Sequence, residues 1–255
     1  MTSFSAPITL SLIGIGCGDP EQLTLAAIRA INAADLILIP RKGAEKSELA
    51  DLRRTICADV LTNRKTRVVE FDLPVRDADA DDYRKGVDEW HDAVAATWST
   101  EIGNHLGHES RVALLIWGDP SLFDSSLRIA RRLNPLPEIE VIPGVTAISA
   151  LCAAHALPVN EIGEAFLLTT GRRLRDEGWP AGVNTVAVML DGGAAFQSLR
   201  PEGLNIWWGA YLGMPNQILL SGPLAEAGPR IAAARSAARE QHGWIMDSYI
   251  LKRSP

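Results

Sequence analysis

The chain has 255 residues, of which 47% are hydrophobic and 22% are charged, as in globular proteins with a substantial core. This composition excludes a disordered chain and a collagen-like chain. The net charge of −6 excludes a global positive field that would attract nucleic acid. An anionic ligand would therefore have to be held by local arginine and lysine side chains.

The three cysteines, Cys17, Cys57 and Cys152, are odd in number and widely spaced. This spacing indicates free thiols in a reducing compartment, and neither a disulfide framework nor a zinc site. The sequence has no apolar run of the ~18 residues that a membrane span needs. Residues 1–7 lack the basic and apolar regions of a secretory signal, so we expect a cytoplasmic protein.

Short apolar runs alternate with helical periodicity over roughly the first 155 residues. The runs predict strands at residues 8–15, 36–39, 68–71, 112–117 and 140–142. The periodicity predicts helices at residues 23–33 (with Thr24 as a possible cap), 47–61, 80–106, 122–133 and 146–155. The helix at 80–106 is polar and is expected to be exposed. Alternation of this kind implies crossover connections and a mainly parallel sheet.

The pattern changes around residues 157–163. Strands are predicted beyond this point at residues 166–170, 186–190, 204–211, 218–221 and 244–251, with shorter helical segments between them. We place a domain boundary near Pro158, which gives an N-terminal α/β domain at 1–157 and a C-terminal α/β domain at 158–255.

Three glycine-containing loops follow predicted strands: GIGCGDP at 14–20, WGDPSLF at 117–123 and IPGVTA at 142–147. Ligands of open parallel sheets bind beyond the carboxyl ends of the strands, so the loops predict a ligand site. Taken singly, each loop is also compatible with a tight turn that binds nothing. The dinucleotide-binding fingerprint is weakly supported, because Asp19 stands at its third glycine position and the second strand ends at Pro40 instead of an acidic residue.

The three loops in this order resemble the tetrapyrrole methylase family. Further similarity lies in Leu23-Thr24, in ADLI at 34–37 and in SGPL at 221–224, and the resemblance covers nearly the whole chain. Members of this family methylate uroporphyrinogen and corrin precursors with S-adenosylmethionine. The resemblance implies the two-domain class III S-adenosylmethionine methyltransferase fold, with an open, mostly parallel sheet in the first domain and a mixed sheet in the second. It also implies a cofactor in the cleft between the domains.

The resemblance also implies which residues contact the cofactor. They are Cys17, Trp117, Gly118, Asp119, Leu122, Thr146 and Ala147, with Met189, Leu190, Gly213 and Met214 from the second domain. The register of the second-domain residues is left open. We expect the contacts to be largely to backbone, because an adenosyl ligand needs shape and amide donors more than charge.

Residues 39–53, IPRKGAEKSELADLR, resemble a narrower group of family members. Those enzymes methylate precorrin-5 at C1 and release acetate, giving precorrin-6A in cobalamin biosynthesis. Pro40 stands where family members usually carry an aspartate, so the role of that aspartate is not carried over. The alternatives are a methyltransferase acting at another carbon of a corrin or porphyrin precursor, a nucleotide-binding oxidoreductase, and a binding protein that kept the fold without catalysis.

Methyl transfer from a sulfonium needs positioning, which supplies roughly 7–11 kcal/mol, and needs neither a metal nor a protein nucleophile. Family members usually carry a proline where Cys17 stands, so the resemblance implies that Cys17 offers its backbone and does not act as a nucleophile. The five histidines lie outside the three loops, and we expect no metal. His105 and His108 are three residues apart at a predicted helix end, but this spacing alone does not indicate a metal site.

A precorrin carries several carboxylates, so cations are expected at its site. The candidates are Arg41, Lys42 and Lys46 after the second strand, and Arg172, Arg173 and Arg175 in a later segment that is equally compatible with a solvated loop. Of Trp207 and Trp208, one is expected in the core and one in the cleft.

Acetate release needs a positioned water. Asp19 is the first candidate for the residue that activates it, Asp191 is the second, and Glu21 is a third. The expected partners are a tetrapyrrole substrate and a second copy in a homodimer, without nucleic acid or membrane.

Overall fold

The structure is a computed structural model that describes residues 7–41, 47–76, 82–106 and 111–254. These residues form two compact units. The first contains the described residues up to Gly16 together with those of 20–145, and the second contains residues 17–19 together with those from Thr146 onward.

The first unit is built on five strands and four helices. The strands are β1 (Thr9–Gly14), β2 (Leu36–Arg41), β3 (Arg67–Asp72), β4 (Arg111–Ile116) and β5 (Glu138–Ile142), and the helices are α1 (Leu25–Ala33), α2 (Ser47–Val60), α3 (Tyr83–His105) and α4 (Ser126–Ala130). The sheet order is β3-β2-β4-β1-β5. Every pairing in it is parallel, which confirms the predicted parallel sheet.

Both faces of this sheet are covered, because successive strand residues point to opposite sides. In β1 and its continuation, Leu10 and Leu12 pack in one core cluster with residues of α3 and α4, whereas Ile13 and Ile15 pack in another with residues of α1 and α2. The strands therefore have continuous apolar runs instead of alternation, as expected for a parallel sheet between two helical layers.

Two helices of the first unit differ from their sequence prediction. The helix predicted to be exposed, α3, buries Val94, Trp98 and Ile102 in the core, so that prediction was wrong. Its many charged residues mask a narrow apolar face. The helix predicted at 122–133 is only Ser126–Ala130, because Phe123 is left-handed (φ 51°) and the Asp124 carboxylate accepts a hydrogen bond from Ser126 N at 2.7 Å.

The second unit is a mixed sheet with three helices. Its strands are β6 (Phe166–Thr170), β7 (Thr185–Met189), β8 (Leu204–Ala210), β9 (Ile218–Pro223) and β10 (Asp247–Arg253), and its helices are α5 (Ala147–Ala154), α6 (Gly171–Glu177) and α7 (Leu224–His242). The order is β6-β7-β10-β8-β9, in which β6 and β7 are parallel and the other pairs are antiparallel. The predicted mixed sheet is confirmed.

The division between the units falls before Thr146, twelve residues earlier than the boundary placed after Leu157. The reason is α5, which packs on β8 and β10 of the second unit. At the end of α5, His155 Nε2 lies 3.0 Å from the Trp208 carbonyl oxygen. The 19-residue helix α7 was not predicted as one element, because Pro229 interrupts its pattern near the start.

Candidate functional site

Three loops of the first unit leave the carboxyl ends of β1, β4 and β5, which are neighbours because β1 lies between the other two strands. The Gly16 and Gly118 backbones pair with each other: Gly118 N donates to Gly16 O at 2.7 Å, and Gly16 N donates to Gly118 O at 3.3 Å. Two of the three glycine loops are therefore joined by main-chain hydrogen bonds beyond the sheet, where ligands of open sheets bind.

The third loop is held against these two by contact between glycines. A Cβ on Gly14 would lie 2.6 Å from Gly144 N and 2.8 Å from Gly118 O. A Cβ on Gly144 would overlap the Gly118 carbonyl oxygen. Glycine at positions 14 and 144 is therefore explained by the packing of the three loops on one another.

The Asp119 side chain ties the second loop to the third. Its buried carboxylate accepts hydrogen bonds from Ser121 N at 2.8 Å, from the Ser121 hydroxyl and from Gly144 N at 2.9 Å. Burial by itself would raise the pKa of Asp119, but these hydrogen bonds favour the ionised form and hold the pKa below its usual value. The Asp119 carboxylate thus fixes the loops.

Gly118 differs from the other two glycines. Its backbone is left-handed (φ +67°), and the nearest atom to a Cβ placed on it is Val145 O at 4.0 Å. The half-buried side chains of Trp117 and Leu122 flank the same loop. Open space beside the Gly118 backbone, flanked by apolar side chains, fits an adenosyl moiety, and the Asp119 carboxylate next to it is occupied by hydrogen bonds within the loops.

The loop after β1 continues into the second unit as residues 17–19. Burial raises the pKa of the Cys17 thiol to about 12, which disfavours the thiolate, the nucleophilic form. A Cβ on Gly18 (φ +139°) would overlap the Met214 side chain. Met214 lies in the turn after β8, in which Gly213 N donates to the Gln217 side chain at 2.9 Å. The structure therefore places Cys17 and Asp19 in the same compact unit as Gly213 and Met214, with Gly18 against Met214.

Two further predicted cofactor contacts, Thr146 and Ala147, lie at the N-terminus of α5. Thr146 is the N-cap of α5, and its hydroxyl oxygen accepts a hydrogen bond from Ser149 N at 3.1 Å. Ala147 is the first residue of the helix and is half-buried. The Thr146 hydroxyl therefore has a structural partner in addition to any ligand.

The end of β7 presents Met189 and Leu190. Met189 is half-buried, whereas Leu190 is left-handed (φ 53°) and 63% exposed. The next residue, Asp191, is only 5% exposed, and both of its carboxylate oxygens accept hydrogen bonds from within the unit. Asp19 is half-buried, so it is more accessible than Asp191, and Glu21, the third candidate for the base, is exposed.

The predicted substrate cations are distributed as follows. The Arg41 guanidinium lies 3.0 Å from the Asp72 carboxylate on β3, so it has an acidic partner that the sequence around Arg41 did not reveal. Arg172 is exposed on α6, and its neighbour Arg173 pairs with Glu177. Lys42 and Lys46 lie outside the described residues.

One of the two adjacent tryptophans was expected in the core, and Trp208 is buried. Trp207 is half-buried, and its expected place in the cleft stays a prediction. In the part of the chain that the structure describes, no group of three or more His, Cys, Asp or Glu side chains is arranged to hold a metal. His105 lies 3.5 Å from Glu101, and His108 lies outside the described residues. No helix among the described residues is both long enough and apolar enough to cross a bilayer.

Residues 9–228 match the sequence profile of the tetrapyrrole (corrin/porphyrin) methylases. The chain belongs to this family. It is 46% identical, over 246 residues, to the precorrin-6A synthase (deacetylating) of a Sinorhizobium species, and the match covers 95% of this chain and 94% of the relative. The family predicted from the three loops is confirmed, and with it a methyltransferase.

Two solved structures resemble the chain over nearly its full length. A cobalamin synthesis related protein, CobF, from Corynebacterium diphtheriae is 37% identical, with a TM-score of 0.83 and coverage of 98% of this chain and 100% of that chain. The uroporphyrin-III C-methyl transferase from Thermus thermophilus, solved with S-adenosyl homocysteine, is 20% identical, with a TM-score of 0.54 and coverage of 95% and 96%. The predicted two-domain methyltransferase fold is confirmed.

Sequence reasoning missed the polar side chains that support the end of β7, namely Arg235, Asp247 and Tyr249. They come from α7 and β10, more than 40 residues further along the chain. No local motif marks them, and only the pairing of β10 with β7 brings Tyr249 beside Asp191.

Proposed function

We propose that this chain catalyses the S-adenosylmethionine-dependent methylation of precorrin-5 at C1 with hydrolytic release of acetate, giving precorrin-6A. The observation that carries this proposal is the 46% identity to a precorrin-6A synthase (deacetylating), which extends over 95% of the chain. The segment around Arg41, which suggested this reaction within the family, lies inside that match.

We propose that the cofactor is S-adenosylmethionine, which when bound supplies an electrophilic methyl group. The family and the adenosyl homocysteine bound to a structural relative support this choice. The residues that would hold it are Cys17, Trp117, Gly118, Asp119, Leu122, Thr146, Ala147, Met189, Leu190, Gly213 and Met214. Gly118 offers its backbone closely, Trp117, Leu122 and Leu190 offer apolar surface, and Asp119 keeps the loops together.

Methylation at C1 needs the reactants held in line, and the protein contributes to it by position. Acetate release is different, because a water must lose a proton as its oxygen bonds to the acetyl carbon. The bond from that carbon to the macrocycle then breaks, and its electron pair passes to the macrocycle. We assign Asp19 as the residue that orients this water, since it is half-buried in the glycine loop after β1. Arg41, Lys42 and Arg172 are proposed to bind the carboxylates of the macrocycle.

The product formed from precorrin-5 tests the proposal. We expect mass spectrometry to show one methyl group gained and one acetate released per turnover. A product that gains the methyl group and keeps the two-carbon unit would instead indicate a methyltransferase acting at another carbon. Absence of methyl transfer with active substrate and cofactor would leave only a binding function.

The Asp19→Asn variant tests the assignment of the base. We expect it to accumulate a methylated species that retains its two-carbon unit, because in-line displacement survives when the attack of water slows by roughly 10²-fold. Glu21→Gln tests the third candidate and is expected to release acetate normally. Slowed acetate release in this variant alone would assign the role to Glu21. Parallel loss of both steps in Asp19→Asn would assign Asp19 to the structure of the turn.

We also propose that the enzyme works in the cytoplasm as a homodimer. The cysteines of the described part, all free thiols, are consistent with a reducing compartment. Light scattering of the purified chain tests the dimer, with a molar mass of twice 27.6 kDa as the expected result.

A further inference from the structure

Leu190 has an unusual combination of properties. It is a non-glycine residue in the left-handed region (φ 53°), and its large apolar side chain is 63% exposed. The left-handed region is unfavourable for a residue with a Cβ, and such strain persists where the surroundings impose it. The surroundings of Leu190 must therefore hold it in this conformation.

Both carboxylate oxygens of Asp191, the residue after Leu190, accept hydrogen bonds. Asp191 Oδ1 accepts a hydrogen bond from Gly193 N at 3.0 Å, and Oδ2 accepts from Ala195 N at 2.6 Å and from the Tyr249 hydroxyl at 2.7 Å. Burial and the neighbouring Asp191 charge raise the pKa of the Tyr249 hydroxyl far above its ordinary value, so this hydroxyl acts as a donor.

The Asp191 backbone is fixed as well. Arg235 Nη2, on α7, donates to the Asp191 carbonyl oxygen. The same guanidinium lies 2.8 Å from the Asp247 carboxylate, which also accepts from Trp208 Nε1 at 2.7 Å. Asp191 is 5% exposed, and the side chains of Arg235 and Asp247 are 7% and 5% exposed. Arg235 of α7 and Tyr249 of β10 thus converge on the residue that follows Leu190, and Trp208 of β8 supports Asp247 behind them.

A buried polar network fixes one geometry where its members are satisfied, and each oxygen of the Asp191 carboxylate has a donor. Arg235 Nε lies 2.8 Å from the Asp247 carboxylate as an ion pair but makes no hydrogen bond with the described residues. The carboxylate oxygens of Asp191 are occupied by structural donors, which leaves Asp191 poorly suited to accept a proton from water. The network instead holds the backbone just after the end of β7, at the residue that follows the exposed Leu190.

We infer that Asp191, supported by Tyr249 and Arg235, is a positioning residue that holds Leu190 left-handed so that its side chain forms part of the apolar surface for the adenosyl cofactor. This inference rests on the proposed function, because it assumes that S-adenosylmethionine contacts Leu190. A positioning role for Asp191 takes the place of the water-activating role that the sequence suggested for it.

A double-mutant cycle on S-adenosylhomocysteine binding tests the inference. Tyr249→Phe removes one hydrogen bond to Asp191 and keeps the ring that packs edge-on against Phe196 at 5.5 Å. We expect its dissociation constant, measured by calorimetry, to rise about three- to tenfold. Leu190→Ala should raise the dissociation constant by a similar factor. The double variant should have a dissociation constant only slightly higher than that of the single variant that binds less tightly. Full additivity would overturn the inference.

Steady-state kinetics separate positioning from general damage. Tyr249→Phe should raise the KM for S-adenosylmethionine while kcat and the KM for precorrin-5 stay within about twofold. Ser198→Ala, which removes a hydrogen bond to Ala195 O at 2.8 Å, is the matched control and should not change cofactor affinity. A lower melting temperature for Tyr249→Phe with unchanged affinity would assign the network to stability alone and overturn the inference.

Two further measurements keep the inference falsifiable. If Tyr249→Phe fails to fold, Asp191→Asn takes its place in the cycle. Leu190→Gly leaves the network intact and relieves the left-handed strain, so it should melt at a higher temperature and bind S-adenosylhomocysteine more weakly. Unchanged affinity in Leu190→Gly would contradict the inference. Failure of the wild-type chain to bind S-adenosylhomocysteine would instead contradict the proposed function.

Discussion

Gly118 is the residue at which the proposed cofactor site can be tested most directly. A Cβ there meets no protein atom closer than 4.0 Å, so a side chain would enter the space next to the loop instead of colliding with the fold. We expect Gly118→Val to weaken the binding of S-adenosylhomocysteine at least tenfold, as measured by calorimetry.

The left-handed backbone of Gly118 means that valine also costs roughly 1–2 kcal/mol of stability. Gly203→Val is the control for this cost, because Gly203 has nearly the same φ (+69° against +67°) and nothing within 4 Å of its Cβ position. The two variants should lose similar stability, and Gly118→Val alone should lose affinity. Equal affinities would place the cofactor elsewhere.

Arg41 tests the substrate side of the proposal. Its ion pair with Asp72 is exposed, with 47% and 79% of the two side chains accessible, so the pair contributes little to stability and leaves the guanidinium available to a second carboxylate. We expect Arg41→Ala to raise the KM for precorrin-5 about three- to tenfold with little change in the KM for S-adenosylmethionine. Asp72→Ala, which removes the competing carboxylate, should leave the KM for precorrin-5 equal or lower. A raised KM for S-adenosylmethionine with an unchanged KM for precorrin-5 would instead place Arg41 at the cofactor site.

At the scale of elements, α3 contains a buried histidine with a pH-dependent consequence. His91 is 3% exposed, and neither ring nitrogen has a hydrogen-bond partner among the described residues. Burial lowers the pKa of His91, with Arg132 and Arg128 lowering it further while Asp88 and Asp92 oppose them. The native chain therefore binds fewer protons at this site than the unfolded chain, whose histidine titrates near 6.5.

This difference in proton binding makes stability rise with pH through the interval below about 6.5. We expect the free energy of unfolding to fall as pH drops from 6.5 toward the lowered pKa of His91. His91→Leu should remove this contribution and add about 1 kcal/mol at pH 7, because an unpartnered buried polar group is lost. Urea unfolding at several pH values checks both, and parallel pH profiles for the two proteins would contradict the assignment.

The elements that sequence reasoning predicted well are those whose packing is local. β1, β2 and β4 are continuous apolar runs, and Thr24 caps α1 as its side chain predicted, with Ala27 N donating at 3.0 Å. The end of β2 was placed at Ile39, although the strand continues to Arg41. Pro40 is tolerated there because β4 pairs with β2 only as far as Leu38.

The parts that the sequence could not predict depend on distant partners. The narrow buried face of α3 becomes visible only with the sheet that covers it, and the position of β10 at the centre of the second sheet is non-local. The same holds for the candidate site. The motif at 142–147 pointed to Gly144, but its contact with Gly14 and Gly118 follows from strand order.

At the scale of the whole molecule, the first unit explains why one family motif is spread over more than 120 residues. The parallel order places β1 between β4 and β5, so loops distant in sequence end at the same edge. This arrangement is shared by many nucleotide-binding folds, and fold alone does not select the ligand. The ligand therefore has to be tested against the oxidoreductase alternative.

Ligand-dependent melting separates these two classes on the intact chain. A ligand that binds only the native state stabilises it by RT ln(1 + [L]/Kd), which is about 2.7 kcal/mol at a hundredfold excess over Kd. For a chain of this length that corresponds to a rise of roughly 5–11 °C. We expect this rise with S-adenosylhomocysteine and none with NADH at the same concentration, because the loop after β1 has Asp19 at the third fingerprint position and β2 ends without an acidic residue. Gly118→Val should lose most of the rise, which ties the effect to the loop. A shift with NADH alone would instead support a nucleotide-binding oxidoreductase.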